Sequence, residues 1–420
     1  MGMKVLRVGG VGTGRIFQHA HMRVWAGLPD RGRLVAFHDR DPARAEQARA
    51  KYVAMLEEHA RTHPEQAQTV GENISQLRCY GSLDELLAHV DLVDICTHAR
   101  GRMPVAIAAF QRGVHAIAEK PMARVWTEAD RASRALAQAP GVLFQLNDDN
   151  VFEPKYRAIR AIIDRGEIGR VQSITLIRGS QLSSTSVLKA QADALEGGGG
   201  CLLDYGSHGL AGAFSLLGRG HRPTRVEAVQ IATLYPHRVI EGEPCLMEVD
   251  DNARVKVLME DVACGAWATI YLEASWCGGH IGRTKEKPSG QSDGYLEIVG
   301  DKGVIESHEA GAITVRTSNG GEERIPLIHY PGETVSVLSG VVSFLDAIEA
   351  SRPSEFGIDF GAEVIAACGA AYLSAIRGKA VAIEEYMDYC REFVKRLGDN
   401  EKADDAIVLD LLKPYRRRTP

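Results

Sequence analysis

Short apolar runs alternate with amphipathic stretches over the first 120 residues of the chain. The apolar runs are short and several are rich in β-branched residues, which predicts strands at 5–11, 34–37, 78–80, 92–97 and 114–118. Apolar side chains recur every four residues over 15–28, and further helices are predicted at 43–60, 83–87 and 105–112. This repeated β-α-β order predicts an α/β fold with a doubly wound parallel sheet of the Rossmann type.

The pattern changes after about residue 146. Helices are predicted at 156–165, after the glycine run at 197–200, and at 335–350 and 360–376. Strands are predicted at 171–178, 226–233, 253–259, 266–274, 295–299, 304–306 and 312–317, mostly without helices between them. Such succession is typical of a large, mainly antiparallel open sheet in an α+β domain.

We therefore predict three regions: a dinucleotide-binding Rossmann domain over 1–146, a substrate-binding and oligomerisation domain over 147–382, and a helical C-terminal tail over 383–420. The stretch 57–76 is extra for this pattern and is assigned to no element.

Composition narrows the function classes. The 420 residues are 45% hydrophobic and 25% charged, as in ordinary globular proteins. Forty-nine Lys and Arg against 55 Asp and Glu give a net charge of -6, which argues against a nucleic-acid partner. The eight cysteines are scattered, and neither a secretory signal nor an apolar run of membrane-spanning length is evident. We expect a cytoplasmic protein without a membrane partner and without a bound metal.

The turn after the first strand carries the glycines of a dinucleotide site. Gly12 and Gly14 fill the first two positions of G-x-G-x-x-G, but Phe17 occupies the third. Glycines here permit a tight turn and let the backbone approach a pyrophosphate at a helix N-terminus. An ordinary strand–turn–helix corner explains the glycines about equally well.

Asp39 favours the dinucleotide interpretation. It ends the second strand, 25 residues after Gly14, where a carboxylate can accept hydrogen bonds from the adenosine ribose. Its charge opposes a 2′-phosphate, which predicts NAD as the cofactor, with NADP disfavoured. Arg40 and Arg44 could offset that preference.

Two further motifs carry candidate proton-transfer groups. Glu119-Lys120-Pro121 ends the fifth strand, at the sheet edge where ligands of doubly wound folds bind. Asp204 and His208 are spaced i, i+4 on a predicted helix after the glycine run, hence on one helix face. Histidine suits proton abstraction from a hydroxyl near neutral pH. Taken alone, each motif is more often a set of ordinary surface residues.

These motifs together resemble the glucose-fructose oxidoreductase / inositol dehydrogenase / rhizopine-catabolism (Gfo/Idh/MocA) family over about positions 4 to 376. The resemblance also includes Thr97, Gly113-x-His115, Gly166-x-Ile168-Gly169, Gly198-Gly199-Gly200, Glu273-Ala-Ser-Trp276, 296–303 and Arg352-Pro353. It implies Lys120 and His208 as the catalytic pair, assisted by Asp204.

The resemblance also implies the binding residues. The cofactor contacts, with the neighbours we add to them, are Gly12, Gly14, Arg15, Ile16, Asp39, Arg40, Thr97, His98, Glu119 and Lys120. For the substrate we predict Lys120, Asp149, Asn150, Asp204 and His208. The family often has proline and histidine where this chain has His98 and Arg102.

The predicted function is an NAD(H)-dependent dehydrogenase acting on one ring hydroxyl or ketone of a sugar, sugar derivative or cyclitol. One alternative is an NAD-dependent glycosidase that oxidises its sugar transiently, because the same residues serve it. Another is a non-catalytic dinucleotide sensor, against which both Lys120 and His208 argue. Val255, Val257, Ala266, Ala268 and Ile270 alternate with polar neighbours, so we predict a homodimer or homotetramer formed through the C-terminal sheet.

Overall fold

The computed structural model describes residues 5–179, 189–277, 295–307, 312–327 and 334–416. The chain divides into two compact units. The first unit comprises Met1–Met122, Ala129–Asp149 and Pro331–Gly361, and the second comprises Ala123–Glu128, Asn150–Tyr330 and Ala362–Pro420. The predicted boundary after residue 146 lies close to the division at Asp149, whereas the predicted boundary after 382 has no counterpart in this division.

A six-stranded parallel sheet forms the centre of the first unit, as predicted. Its strands are β1 (Leu6–Val11), β2 (Gly32–His38), β3 (Arg78–Cys79), β4 (Leu92–Ile95), β5 (His115–Glu119) and β6 (Phe144–Asn147). Their order, β3-β2-β1-β4-β5-β6, is that of a doubly wound sheet with a topological switch point beside β1. The carboxyl ends of these strands therefore define the ligand edge.

Helices connect the strands of the first unit. They are α1 (Met22–Ala26), α2 (Pro42–Thr62), α3 (Ala67–Gln76), α4 (Leu83–Leu87), α5 (Ala99–Phe110) and α6 (Trp126–Ala137). Ser82 caps α4 by accepting a hydrogen bond from the Glu85 N–H, as the capping box predicts. The predicted helix over 15–28 differs from expectation, because Phe17–His21 forms a π-helical turn before α1.

The extra stretch 57–76 is helical. It completes α2, passes through a 3₁₀ turn at Pro64–Gln66 and forms α3. The Asn73 amide donates a 2.9 Å hydrogen bond to the Leu34 carbonyl, and Val70 is buried in the core. The segment thus covers β2 with a second helix.

A late segment of sequence belongs to the first unit. After β6, α7 (Asp149–Phe152) and α8 (Pro154–Asp164) lead into the second unit. Much later in the chain, α12 (Thr334–Glu349) returns to the first unit and packs on its sheet. The Gln145 amide donates to the Gly340 carbonyl at 2.7 Å, and Val337, Val341 and Phe344 join the core around Trp25.

The second unit contains a nine-stranded mixed sheet in the order β16-β15-β14-β13-β7-β12-β11-β8-β17. The strands are β7 (Val171–Gly179), β8 (His221–Ala232), β11 (Asn252–Asp261), β12 (Trp267–Ser275), β13 (Tyr295–Gly300), β14 (Gly303–Ser307), β15 (Ala312–Thr317), β16 (Glu322–Pro326) and β17 (Val381–Ala382). β9 (His237–Ile240) and β10 (Glu243–Leu246) form a separate hairpin. The nine-stranded sheet is antiparallel except where β7 pairs with β12, which confirms the predicted large, mainly antiparallel sheet.

Further helices accompany this sheet, and two of them contact β7, β8 and β12. They are α9 (Lys189–Ala192), α10 (Ala194–Gly197), α11 (Ser207–Leu217), α13 (Ile358–Arg377), α14 (Ile383–Leu397) and α15 (Glu401–Leu411). Among the described residues, α13 alone has the length and composition of a membrane span, contrary to the sequence-based expectation that no such stretch exists. Most of its apolar stretch is buried, as the core helix of a folded domain requires. The Thr127 hydroxyl donates to Asp404 at 2.6 Å, which anchors α15 within the second unit.

Candidate active site

The glycine turn after β1 is built for a close approach of backbone. Gly12 has a φ of +82°, and a Cβ placed on it would lie 2.6 Å from the Thr97 nitrogen. A Cβ on Gly14 would meet no described protein atom within 4 Å. Gly12 is therefore required by geometry, whereas Gly14 leaves open space where a pyrophosphate would lie.

Phe17 occupies the third position of the fingerprint without blocking the turn. Its ring is fully buried, and a Cβ on Gly10 of β1 would lie 2.1 Å from the Phe17 Cζ. The close strand–helix contact that a third glycine normally permits is thus made by a strand glycine and a helix aromatic. The π-helical turn that begins at Phe17 adds one residue to the helix, a feature frequent at functional sites.

Asp39 lies next to this turn. One carboxylate oxygen accepts the Thr13 N–H at 2.8 Å and the Thr13 hydroxyl at 3.2 Å, and the other accepts the Asp41 N–H at 3.0 Å. The structure therefore brings the predicted ribose-binding carboxylate to the predicted pyrophosphate-binding turn. Arg15 and Arg40 are exposed beside it, and Ile16 is half-buried at the start of the helix.

Two polar side chains without hydrogen-bond partners among the described residues lie at the carboxyl ends of β4 and β6. The Thr97 hydroxyl, after β4, and the Asn147 side-chain amide, at the end of β6, are buried with no hydrogen-bond partner among the described residues. Buried polar groups are normally hydrogen-bonded, so these atoms fit a ligand that supplies the bonds. Together with the open space at Gly14, they fit a dinucleotide along the carboxyl edge of the sheet.

The Glu119-Lys120-Pro121 segment follows β5 at the same edge. Glu119 is 7% exposed, and Lys120 is half-buried and donates its backbone N–H to the Glu119 carboxylate at 3.3 Å. Arg102 on α5 donates to the Pro121 carbonyl at 2.5 Å, and His98 precedes the first turn of that helix. Arg102, which replaces the family's histidine, therefore braces the turn that carries Lys120.

Sequence reasoning missed a buried histidine beneath this segment. His21, in the π-helical turn, lies with Nδ1 2.8 Å from an Asp94 oxygen and Nε2 3.1 Å from a Glu119 oxygen. The Trp25 indole donates to the same Asp94 oxygen at 2.7 Å. The available signals were a histidine on the apolar side of the first predicted helix and Asp94 inside the apolar run of β4.

His21, Asp94 and Cys96 also form a group whose ligand atoms lie within 4.8 Å of one another, a spacing compatible with a metal ion. The 2.8 Å separation of His21 and Asp94 is that of a hydrogen bond. The Cys96 thiol lies 3.6 Å from the other Asp94 oxygen, within the hydrogen-bond distance of a sulfur donor. The group therefore fits a hydrogen-bonded cluster better than a metal centre.

Asp204 and His208 lie on one continuous helical segment of the second unit. Asp204 is in a π-helical turn, Leu202–Gly206, and His208 is in the first turn of α11. The Trp276 indole donates to the Asp204 carboxylate at 3.1 Å, and His208 is only 7% exposed. The predicted α-helical i, i+4 relationship is thus modified by the π-helical turn.

A second buried acid, also missed, fixes this segment. Asp250 is fully buried and accepts hydrogen bonds from the N–H groups of Gly200 at 3.0 Å and Leu202 at 2.9 Å, and from the Tyr372 hydroxyl at 2.5 Å. A Cβ on Gly200 would lie 1.7 Å from the Asp250 carbonyl oxygen, so only glycine fits there. The glycine run therefore allows Asp250 to approach the backbone that leads to Asp204.

Asn150 links the segment at the start of the second unit to the same helix. Its amide nitrogen donates to the His208 carbonyl at 2.9 Å, and its oxygen accepts from Arg178 at 2.8 Å. The structure thereby brings Asn150 to the backbone of His208, and its role in substrate binding stays a prediction. The Asp149 backbone lies in α7, but the Asp149 side chain lies outside the described part of the structure.

Comparisons with known proteins agree with this geometry. The family model described as "Oxidoreductase family, NAD-binding Rossmann fold" matches residues 6–147, and the GFO/IDH/MocA C-terminal domain model matches 156–306. Fold and site thus define an NAD-binding oxidoreductase. The chain belongs to the GFO/IDH/MocA family, which confirms the predicted resemblance, enzyme class and cofactor.

Two characterised relatives are similar in sequence. Inositol 2-dehydrogenase of Rhizobium meliloti is 24% identical over 382 residues, covering 90% of this chain and 99% of that protein. UDP-N-acetylglucosamine 3-dehydrogenase of Acidithiobacillus ferrooxidans is 36% identical over 112 residues. That second match spans 26% of this chain and only 32% of that enzyme's length.

Solved structures share the fold. An oxidoreductase domain protein from Kribbella flavida superposes with a TM-score of 0.74 at 21% identity, covering 91% of this chain and 100% of that one. Levoglucosan dehydrogenase in complex with NADH and levoglucosan gives 0.73 at 19% identity, covering 90% and 100%. An Agrobacterium radiobacter oxidoreductase with NAD+, L-tartaric acid and magnesium gives 0.71 at 21% identity, covering 91% and 99%.

Proposed function

We propose that the protein is an NAD(H)-dependent dehydrogenase that oxidises one ring hydroxyl, or reduces the corresponding ketone, of a sugar, sugar derivative or cyclitol. The observation that carries this proposal is that a chain similar to inositol 2-dehydrogenase over 90% of its length retains Lys120, Asp204 and His208. A dinucleotide sensor needs no such proton-transfer groups.

The chain's own residues would move the hydroxyl proton. Bound NAD accepts or donates the hydride. His208 takes the proton from the reacting hydroxyl, because a neutral imidazole nitrogen can accept a proton from a bound hydroxyl group. Lys120 donates a hydrogen bond to the same oxygen. Asp204, oriented by the Trp276 indole, holds the His208 ring or a neighbouring hydroxyl.

The cofactor would be held by the first unit. Gly12 and Gly14 would receive the pyrophosphate, and Asp39 the adenosine ribose. The Thr97 hydroxyl and the Asn147 amide, which have no hydrogen-bond partner in the described part of the chain, would supply further hydrogen bonds to the cofactor. Asn150 would fix the backbone of His208 on the substrate side.

The test is a panel of sugars, sugar acids and cyclitols incubated with the protein and NAD, with NADH followed by absorbance and products by mass spectrometry. We expect NADH formation with at least one ring-hydroxyl substrate and its loss in His208→Ala. Cleavage of a glycoside without net NADH would instead establish the transient-oxidation glycosidase. Tight NADH binding with no turnover of any substrate in either direction would contradict the proposal and favour the sensor.

A further inference from the structure

A buried histidine joins the acidic residue of the Lys120 segment to the centre of the first unit. His21 has no exposed surface, and its two ring nitrogens lie 2.8 Å from an Asp94 oxygen and 3.1 Å from a Glu119 oxygen. Asp94 is in β4 and Glu119 ends β5, so the ring bridges two neighbouring strands from the π-helical turn. This arrangement lies directly beneath the site proposed for the cofactor.

Hydrogen-bond accounting fixes the protonation of this ring. Ionised carboxylates only accept hydrogen bonds, so each of the two ring nitrogens must donate one. The Asp94 oxygen already accepts from the Trp25 indole, and the other Asp94 oxygen lies 3.6 Å from the Cys96 thiol. A neutral His21 would set the lone pair of one ring nitrogen against a carboxylate oxygen at hydrogen-bond distance, and two facing acceptors in the interior are costly.

The charges around the ring favour the same state. Burial by itself would lower the pKa of His21, but the Asp94 carboxylate outweighs it and holds that pKa well above its usual value. The positive charges of Arg102 on α5 and of Lys120 lower the pKa of Glu119 and so favour its ionised form. Elements packed behind the ring direct their charges elsewhere: Lys51 on α2 donates to Gln18, and Asp346 and Glu349 on α12 bind Arg31.

We propose that His21 is a positioning residue, whose doubly protonated ring holds the Glu119 carboxylate, and with it the segment bearing Lys120, in the orientation that NAD and substrate require. This proposal rests on the proposed function in treating Lys120 as part of the reaction site. His21 touches neither substrate nor cofactor, and it acts only through Glu119.

The first test observes the ring itself. Nitrogen-15 NMR of histidine-labelled protein without added substrate should show one imidazole with both nitrogens protonated at pH values where the exposed histidines are neutral. That signal is assigned by its loss in His21→Gln or by its NOE to the Trp25 indole N–H. A singly protonated His21 ring, or a stoichiometric divalent metal found by elemental analysis, would overturn the proposal and leave the proposed dehydrogenase function standing.

The second test compares two histidines of the same π-helical turn. His21→Gln should weaken NADH binding, measured by fluorescence titration, and lower kcat, each by about tenfold to a hundredfold. The reason is that a small displacement of Glu119 and of the segment bearing Lys120 slows a reaction that depends on their positions. His19→Gln, at an exposed position, should change both by less than about twofold. Unchanged NADH affinity and kcat in a folded His21→Gln variant would contradict the proposal. If wild-type protein turns over no substrate, the proposed function fails while the ring measurement still decides the charge of His21.

Discussion

The Asp250 carboxylate accepts the backbone N–H of Leu202 at 2.9 Å, at the start of the π-helical turn that contains Asp204. The same buried carboxylate accepts the N–H of Gly200 and the hydroxyl of Tyr372. These donors lie on the glycine run, on the π-helical turn and on α13. One acid on the path into β11 therefore determines where the helix bearing Asp204 and His208 begins.

Removing this acid should destabilise the second unit. In Asp250→Ala, the Leu202 N–H and the Tyr372 hydroxyl lose their acceptor, and the Gly200 N–H keeps only the Tyr372 oxygen at 3.2 Å. Each unsatisfied buried donor costs about 1–3 kcal/mol. We expect the free energy of unfolding in urea to fall by about 3 kcal/mol or more. Tyr372→Phe removes only one of these bonds and should cost about 1–2 kcal/mol. An Asp250→Ala variant as stable as Tyr372→Phe would show that the backbone bonds are not the main contribution.

Asp39 should determine cofactor selectivity. Its carboxylate faces the glycine turn through Thr13, and its charge disfavours a 2′-phosphate. We expect Asp39→Ala to lower the preference for NADH over NADPH, given as the ratio of their affinities, by about tenfold. Titration with both reduced cofactors measures this ratio. The control is Asp41→Ala, which removes the cap of α2 and costs about 1 kcal/mol of stability without changing that ratio. Tighter NADP than NAD binding by the unmodified protein would refute this explanation.

Lys120 and His208 should be essential for turnover and dispensable for folding. Removing a positioned acid or base costs about a hundredfold to ten-thousandfold in rate. We expect Lys120→Ala and His208→Ala to bind NADH as the wild type does and to unfold at the same denaturant concentration, while the turnover of both is nearly lost. Lys395→Ala and His237→Ala, at exposed positions, are the matched controls. Substantial turnover by either active-site variant would exclude the mechanism proposed above.

The two sheets and most helices follow from local patterns. Alternation of apolar runs with amphipathic stretches predicts β1 to β5 because each strand is buried on both faces and each helix on one. Gly12, Gly14 and Asp39 were predictable as a group because the motif places them at consecutive strand ends. The π-helical turns were not, because the apolar repeat over 15–28 is equally compatible with a plain α-helix.

Long-range relationships account for what the sequence analysis missed. His21, Asp94 and Glu119 are far apart in sequence, and only the strand order makes them neighbours. The packing of α12 on the first unit depends on a chain return that no local pattern encodes. Asp250 resembles an ordinary turn residue until the glycine run is placed against it. Buried polar residues are specified by tertiary partners, so their roles appear only in the folded chain.

The oligomer remains a prediction, but its contact must change, because Val255, Val257, Ala268 and Ile270 are buried within the single chain and leave the opposite face of the sheet for a partner. Arg254, Lys256 and Leu258 of β11 alternate with buried residues and pair with Glu273, Tyr271 and Thr269 of β12 on the same face. Tyr271 is 46% exposed and Trp267 51% exposed there, although large aromatic side chains are usually buried. We predict that this face is the homo-oligomer contact, and that Tyr271→Asp dissociates the assembly in sedimentation velocity experiments. Leu397→Asp, at an exposed apolar position on α14, should not. A monomeric wild-type protein at micromolar concentration would contradict the prediction.

The pair His21 and Glu119 should make stability depend on pH in a defined direction. The pKa of His21 is raised well above its usual 6.5, so its stabilising contribution is complete below that value and is lost as pH rises through the folded-state pKa. Burial would raise the pKa of Glu119, but the hydrogen bond and charge of His21 hold it below its usual 4.5. The contribution of Glu119 is therefore present above 4.5 and is lost as pH falls through its lowered folded-state value.

The difference in unfolding free energy between wild type and His21→Gln should accordingly be largest between pH 4.5 and 6.5. We expect about 3 kcal/mol there, as for a broken buried ion pair. The difference should shrink on the alkaline side as the wild-type imidazolium loses its proton. Urea unfolding of wild type, His21→Gln and the exposed-site control His19→Gln across this range measures it directly. A His21→Gln deficit that grows as pH rises would mean that His21 is neutral in the folded protein, because only a charged ring loses its advantage in that direction.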